Sequence, residues 1–206
     1  MRIAFCSMLL CAAAVAEDVV LLEGSFDAYP AGPVLGVVGA HAEYHYLPES
    51  TPRGEWAVST YGSDAETQLA WRAIRVGGKA AMLMASQNKF NHTHPVLVAG
   101  EPLWQDYTLE VDFAPTEGKG QSGVVVRYVN DRCYYFFGIE DGKAVLMRTR
   151  HETAFRQPDE AILAEAPFTH TPGATLHASV SVKGSKITAR LSDDIVLEAD
   201  DATFAA

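Results

Sequence analysis

The feature that most restricts this chain is a two-residue alternation. From Tyr107 to Ala199, short runs rich in Val, Ile, Tyr and Phe are separated by Asn130-Asp131, Asp141-Gly142, Lys183-Gly184 and Asp193-Asp194. Successive side chains of a strand point to opposite faces, so such runs suit half-buried strands joined by tight turns. Gly, Asn and Asp supply the backbone conformations those turns need. A helical period is nearly absent; Pro158–Ala166 is the best candidate, and it is short. The pattern predicts strands at Val19–Phe26, Ala42–Tyr46, Trp56–Thr60, Gln68–Val76, Ala80–Ala85, Pro95–Val98 and Tyr107–Phe113. It continues with Ser122–Val129, Cys133–Glu140, Ala144–Arg150, Ala161–Ala166, Leu176–Val182, Lys186–Leu191 and Ile195–Ala199. The chain therefore reads as all-β, without repeats or an interdomain linker. Its 206 residues suffice for one well-buried domain.

Residues 1–16 read as a secretory signal peptide. Arg2 precedes the apolar run Ile3–Ala14, and Ala14-Val15-Ala16 supplies a small-residue cleavage site ahead of Glu17-Asp18. That run is too short to span a bilayer, and no later stretch reaches the length a membrane helix needs. The expected location is secreted or periplasmic, with a mature domain over 17–206. Cleavage removes Cys6 and Cys11 and leaves Cys133 alone, so the mature domain has no internal disulfide and depends on its core. Cys133 sits among Tyr134, Tyr135 and Phe136, which reads as a small buried apolar residue rather than a nucleophile. Loss of Arg2 leaves 15 basic against 26 acidic side chains, a net charge of −11 that argues against nucleic acid as the main partner.

From Trp104 onward the order of signals is specific. Trp104-Gln105-Asp106-Tyr107-Thr108-Leu109-Glu110-Val111 leads to Gly123-Val124-Val125-Val126-Arg127-Tyr128 and Cys133-Tyr134-Tyr135-Phe136-Phe137-Gly138-Ile139. The Leu176–Val182 strand, Gly184 and Asp201-Ala202-Thr203-Phe204 complete it. This half of the chain resembles the concanavalin A-like lectin/glucanase superfamily, especially its laminin-G-like and 3-keto-disaccharide-hydrolase-like members. Phe26-Asp27-Ala28-Tyr29-Pro30-Ala31-Gly32 is similar to that family's first strand and turn. The resemblance implies a two-sheet antiparallel jelly-roll sandwich. It leaves function open, because this fold hosts lectins, hydrolases, lyases and accessory modules. In such domains the segment like Asp201–Phe204 leads into a Gly-rich closing strand, whereas this sequence stops at Ala206. Either the first strand completes that sheet alone, or the sequence is a fragment of a longer protein. The second is favoured.

Alternation also divides the strand faces. A two-residue turn at Asn130-Asp131 sets Arg127 opposite Tyr134, Val125 opposite Phe136 and Gly123 opposite Gly138. Val124, Val126, Tyr128, Cys133, Tyr135, Phe137 and Ile139 then form the core face. A three-residue loop, Asp141-Gly142-Lys143, would add Val145 and Met147 to that face and turn Arg148 and Arg150 outward. It is preferred because the two-residue alternative would bury Arg148, at a cost of about several kcal/mol if unpaired. The outward face would hold Arg127, Arg132, Arg148 and Arg150 beside Tyr134, Phe136 and Glu140. Rings stack on the apolar C–H surface of a sugar and guanidinium forks hold hydroxyls or carboxylates, so Arg127, Tyr134, Phe136, Arg148 and Arg150 are substrate-binding candidates. Loop residue His92 joins them. Arginines clustered on so acidic a chain point to an anionic sugar; ordinary ion pairing with Glu110, Asp112 or Glu140 is the competing explanation.

Other sites are weaker. Glu110 and Asp112 share one strand face, as in glucanase carboxylate dyads, but the third position of that pattern is Pro115. His92-Thr93-His94 with His41 and His45 lacks the spacing of a metal site. The resemblance implies a structural Ca2+ where terminal strands meet, with Glu23, Asp27 and Asp201 as oxygen ligands. The favoured function is a secreted carbohydrate-binding module for an anionic polysaccharide or oligosaccharide, accompanied by further domains of a polysaccharide-degrading enzyme. The alternatives are a glycoside hydrolase or polysaccharide lyase in its own right, using Glu110, Asp112, Glu140 or His92, and a laminin-G-like adhesion module. No catalytic residue is assigned.

Overall fold

The computed structural model describes residues 19–35, 37–38, 54–60, 65–85, 95–154 and 157–205. The leader, the expected strand Ala42–Tyr46, and His41, His45, His92 and His94 lie outside them.

The chain is nearly all β, and its antiparallel sheets pack as a sandwich. The N-terminal half contributes β1 (Gly32–Pro33), β2 (Val37–Val38), β3 (Gly54–Ser59), a single turn α1 (Ala65–Gln68), β4 (Trp71–Val76), β5 (Lys79–Met84) and β6 (Val96–Gly100). The rest supplies β7 (Tyr107–Phe113), β8 (Gln121–Asn130), β9 (Cys133–Glu140), β10 (Lys143–Ala154) and β11 (Gln157–Pro167). It ends with β12 (Leu176–Lys183), β13 (Lys186–Leu191) and β14 (Ile195–Asp200). One four-stranded sheet runs β11-β10-β9-β8 and the other β14-β13-β12-β7. Crossing from β7 to β8 and back from β11 to β12 leaves β12 beside β7, the return that Greek-key sandwiches use. Two three-stranded sheets, β1-β4-β5 and β2-β3-β6, come from the N-terminal half.

Between the four-stranded sheets lies the main core. Val126, Tyr135, Phe137, Ile139, Ala144 and Leu146 meet Ala178, Val180, Val182, Ile187, Ala189 and Leu191 there. Along β12 every second residue is buried, from Leu176 to Val182. The expected alternation holds because each buried Val or Leu side chain gains about 1.5–3 kcal/mol by leaving water.

Three expectations are corrected. Residues Val19–Phe26 form no strand, and Val19 and Val20 are 79% and 75% exposed. Alternation there was no guide, because no sheet edge receives the segment. The β9–β10 hairpin turns on two residues, Asp141 and Gly142, with φ of 44° and 85°, and pairs Glu140 with Lys143. An Asp-Gly turn of this kind matches the twist of its strands. Consequently Ala144 and Leu146, not Val145 and Met147, face the main core. Finally, the face expected to be outward is buried as well. Tyr134, Phe136, Val145 and Met147 form a second core, with Val125 and Tyr128 against it. The Ser59 hydroxyl of β3 contacts the Tyr128 hydroxyl, so β3 reaches this side of the sheet.

Candidate ligand site at the end of the sandwich

The arginines are redistributed by a bulge in β8. Val126 pairs with Tyr135 and Asn130 with Cys133, so three residues of β8 oppose Tyr134 alone. The hairpin turn is accordingly Asp131-Arg132, one residue later than the alternation placed it. Bulges re-aim side chains. Here Arg127, at φ 48°, turns toward the main core beside Tyr107, while Tyr128 turns to the other face. A left-handed backbone is costly for a non-glycine residue. The Tyr107 hydroxyl holds it by accepting the Arg127 backbone N–H at 2.7 Å.

The Arg127 guanidinium is almost sealed from water, with 4% of its side chain exposed. Nη2 donates to the Gln105 carbonyl at 3.3 Å and lies 3.5 Å from Asp106 Oδ1. Nε and Nη1 find no hydrogen-bond partner among the described residues. Arg148 reaches the same end of the sandwich from β10, because the two-residue turn puts it on the core-facing row opposite Tyr135. Its burial is offset by pairing: Nη1 donates to Asp201 Oδ2 at 2.8 Å and to Thr203 Oγ1 at 3.1 Å. Arg148 is thus accommodated in this register as half of an ion pair, not as the unpaired guanidinium whose burial would be costly.

Asp201 is the hub. Its Oδ1 accepts the Tyr135 hydroxyl at 2.7 Å and the Thr203 N–H at 2.8 Å. Burial raises its pKa, but hydrogen bonds from Thr203 and Tyr135 and the Arg148 charge outweigh this and hold it at about 2. Burial, then the Asp201 acceptor, push the Tyr135 phenol up to about 12. The Phe204 N–H also donates to that phenol oxygen, and the Phe204 ring meets Tyr135 edge-on. The β12–β13 turn closes the frame: Gly184 N–H donates to Asp106 Oδ1 and Asp201 N–H to the Ser185 carbonyl. Partly exposed Trp104, packed over Gly100, belongs to the loop that presents Gln105 and Asp106.

Of the substrate-binding candidates, the structure brings Arg127 and Arg148 together, with half-buried Arg150 further along Arg148's strand face. Tyr134 and Phe136 lie on the opposite face in the second core, where Tyr134 is held by Thr149 and its pKa is raised by burial. Arg132 is buried in its turn. The single Arg/aromatic face read from alternation is therefore not formed, because that face is packed rather than solvated. His92 lies outside the described residues. The Ca2+ set is not assembled either. Glu23 and Asp27 are exposed, and the Asp201 carboxylate is committed to Tyr135, Thr203 and Arg148. Among the described residues, no group of three His, Cys, Asp or Glu side chains is placed to hold a metal. Glu110 and Asp112 lie on the exposed face of β7, where Asp112 Oδ1 is 2.8 Å from His177 Nδ1. Glu140 accepts from Gln121. Cys133 is partly buried and free.

The chain folds like a carbohydrate-binding module. It is similar to the carbohydrate-binding module CBM66 from Bacillus subtilis at a TM-score of 0.50 and 14% identity, over 75% of this chain and 86% of that one. At that identity the likeness to CBM66 concerns the fold. No protein-family model matches the sequence, and no curated protein matches it. No helix among the described residues is long and apolar enough to cross a membrane.

Proposed function

We propose that this chain is a saccharide-binding sandwich of the concanavalin A-like kind, secreted, and that it serves a larger polysaccharide-degrading enzyme by holding an anionic polysaccharide. One observation carries the reading. Arg127 and Arg148 converge at one end of the sandwich, where Asp201 pairs with Arg148 at 2.8 Å and Asp106 stands 3.5 Å from Arg127. Three guanidinium nitrogens, Arg127 Nε and Nη1 and Arg148 Nε, are left there without a hydrogen bond among the described residues. Guanidinium groups with unused donors suit carboxylates and vicinal hydroxyls, and Trp104, next in sequence to the Gln105 that accepts from Arg127, offers an aromatic surface for sugar C–H groups. The fold likeness to CBM66 points the same way.

Calorimetric titration with a panel of neutral, uronate and sulfated oligosaccharides tests it. Binding to the acidic members is expected, weakened at least tenfold by Arg148→Gln in a variant whose circular dichroism is unchanged. An absence of binding across the panel, or full affinity in Arg148→Gln, rejects the proposal.

A further inference from the structure

Asp106 and Arg127 form an unequal pair at the end of the sandwich. Its side chain is 55% exposed, against 4% for Arg127, and its Oδ1 lies 3.5 Å from Arg127 Nη2. That distance is long for a charge-assisted hydrogen bond, which runs at about 2.7–2.9 Å. The same oxygen is held by the Gly184 N–H at 2.8 Å, a shorter contact than the one it makes with the guanidinium. Arg127 is thus a buried cation with a distant counter-charge, a single carbonyl partner at 3.3 Å, and two nitrogens without hydrogen bonds among the described residues. Buried charges are ordinarily paired closely and have their donors filled.

Resting on the saccharide-binding reading, we infer that Arg127 is a carboxylate receptor whose mouth is occupied by Asp106 until a uronate replaces it. Asp106 is then a specificity-determining residue. It neutralises the receptor in the free protein, and a neutral sugar gains nothing by displacing it. A ligand carboxylate exchanges one weak ion pair for a closer one. The chemical class selected is a sugar acid, and the selectivity lies in the competition between two carboxylates for one guanidinium.

Asp106→Asn tests this directly, because asparagine keeps an oxygen for the Gly184 N–H and removes the competing charge. Sodium galacturonate and galactose are titrated into the wild type and the variant. The variant is expected to bind galacturonate about tenfold more tightly, with galactose unaffected, because the low end of measured couplings between close charges is about this size. Galacturonate binding no tighter than in the wild type, or an equal gain for galactose, overturns the inference. A second readout needs no sugar. At matched ionic strength, acetate in place of chloride is expected to raise the Tm of Asp106→Asn more than that of the wild type. Equal shifts overturn the inference. Failure of both proteins to bind any saccharide defeats the saccharide-binding reading instead, and the acetate comparison still decides the role of Arg127.

Discussion

Replacing Asp201 by asparagine removes a charge from the joint that ties the chain's last residues to both sheets. The folded carboxyl has a pKa of about 2, against 3.8 for the unperturbed group. Each unit corresponds to about 1.4 kcal/mol, so the full shift is worth roughly 2 kcal/mol. Arg148 is 28% exposed, and screening by water brings the working value to about 1–2 kcal/mol. Because the folded pKa is depressed, this stabilisation is complete above pH 3.8 and fades as the pH falls toward 2. That shift already contains the Arg148 pairing, so at pH 7 Asp201→Asn should lose about 1–2 kcal/mol. Urea denaturation followed by tryptophan fluorescence, from pH 7 to pH 2, measures both proteins. The gap between them should be constant down to about pH 4 and then narrow by about 1–2 kcal/mol. Parallel stability curves through pH 2–4 would refute the assignment of Asp201 as a buried, charged hub.

Gly138→Ala should cost about 3 kcal/mol or more in urea denaturation, because a Cβ there would stand 2.2 Å from the Ser122 carbonyl oxygen and 2.6 Å from Gly123 Cα. Leu146→Ala removes a fully buried side chain of the main core and should cost about 2–5 kcal/mol by the same assay; a loss below about 1 kcal/mol contradicts its placement. Asp112→Asn breaks the exposed contact with His177 and should change stability by less than about 1 kcal/mol, which sets it apart from Asp201→Asn.

Much of the C-terminal architecture was legible because its strands report their own period. Tyr107–Phe113, Cys133–Glu140 and Lys186–Leu191 begin and end where alternation and turn residues put them. The site was less legible, for three physical reasons. A bulge has no residue signature, so nothing in Arg127-Tyr128-Val129 announces that Arg127 turns inward. The register of β10 hinged on whether a buried arginine would be paired, and its partner Asp201 lies 53 residues away in sequence. The second core was invisible because β8–β10 carry apolar residues on both faces, and alternation then ranks the faces without saying that both are covered. Trp104, Gln105 and Asp106 stand out in the sequence only by their order in the motif; their role depends on Arg127, which alternation alone puts on the other face.

Nitrogen-15 spectra of the arginine Nε–H and tryptophan indole N–H groups, recorded during titration with a galacturonate oligomer, bear most directly on the ligand site. Resonances of Arg127, Arg148 and Trp104 should shift together with one saturation curve. A shift confined to Arg190, which lies in register with Ser179 and Glu110 on the exposed face of that sheet, with Arg127, Arg148 and Trp104 unmoved, would contradict the site.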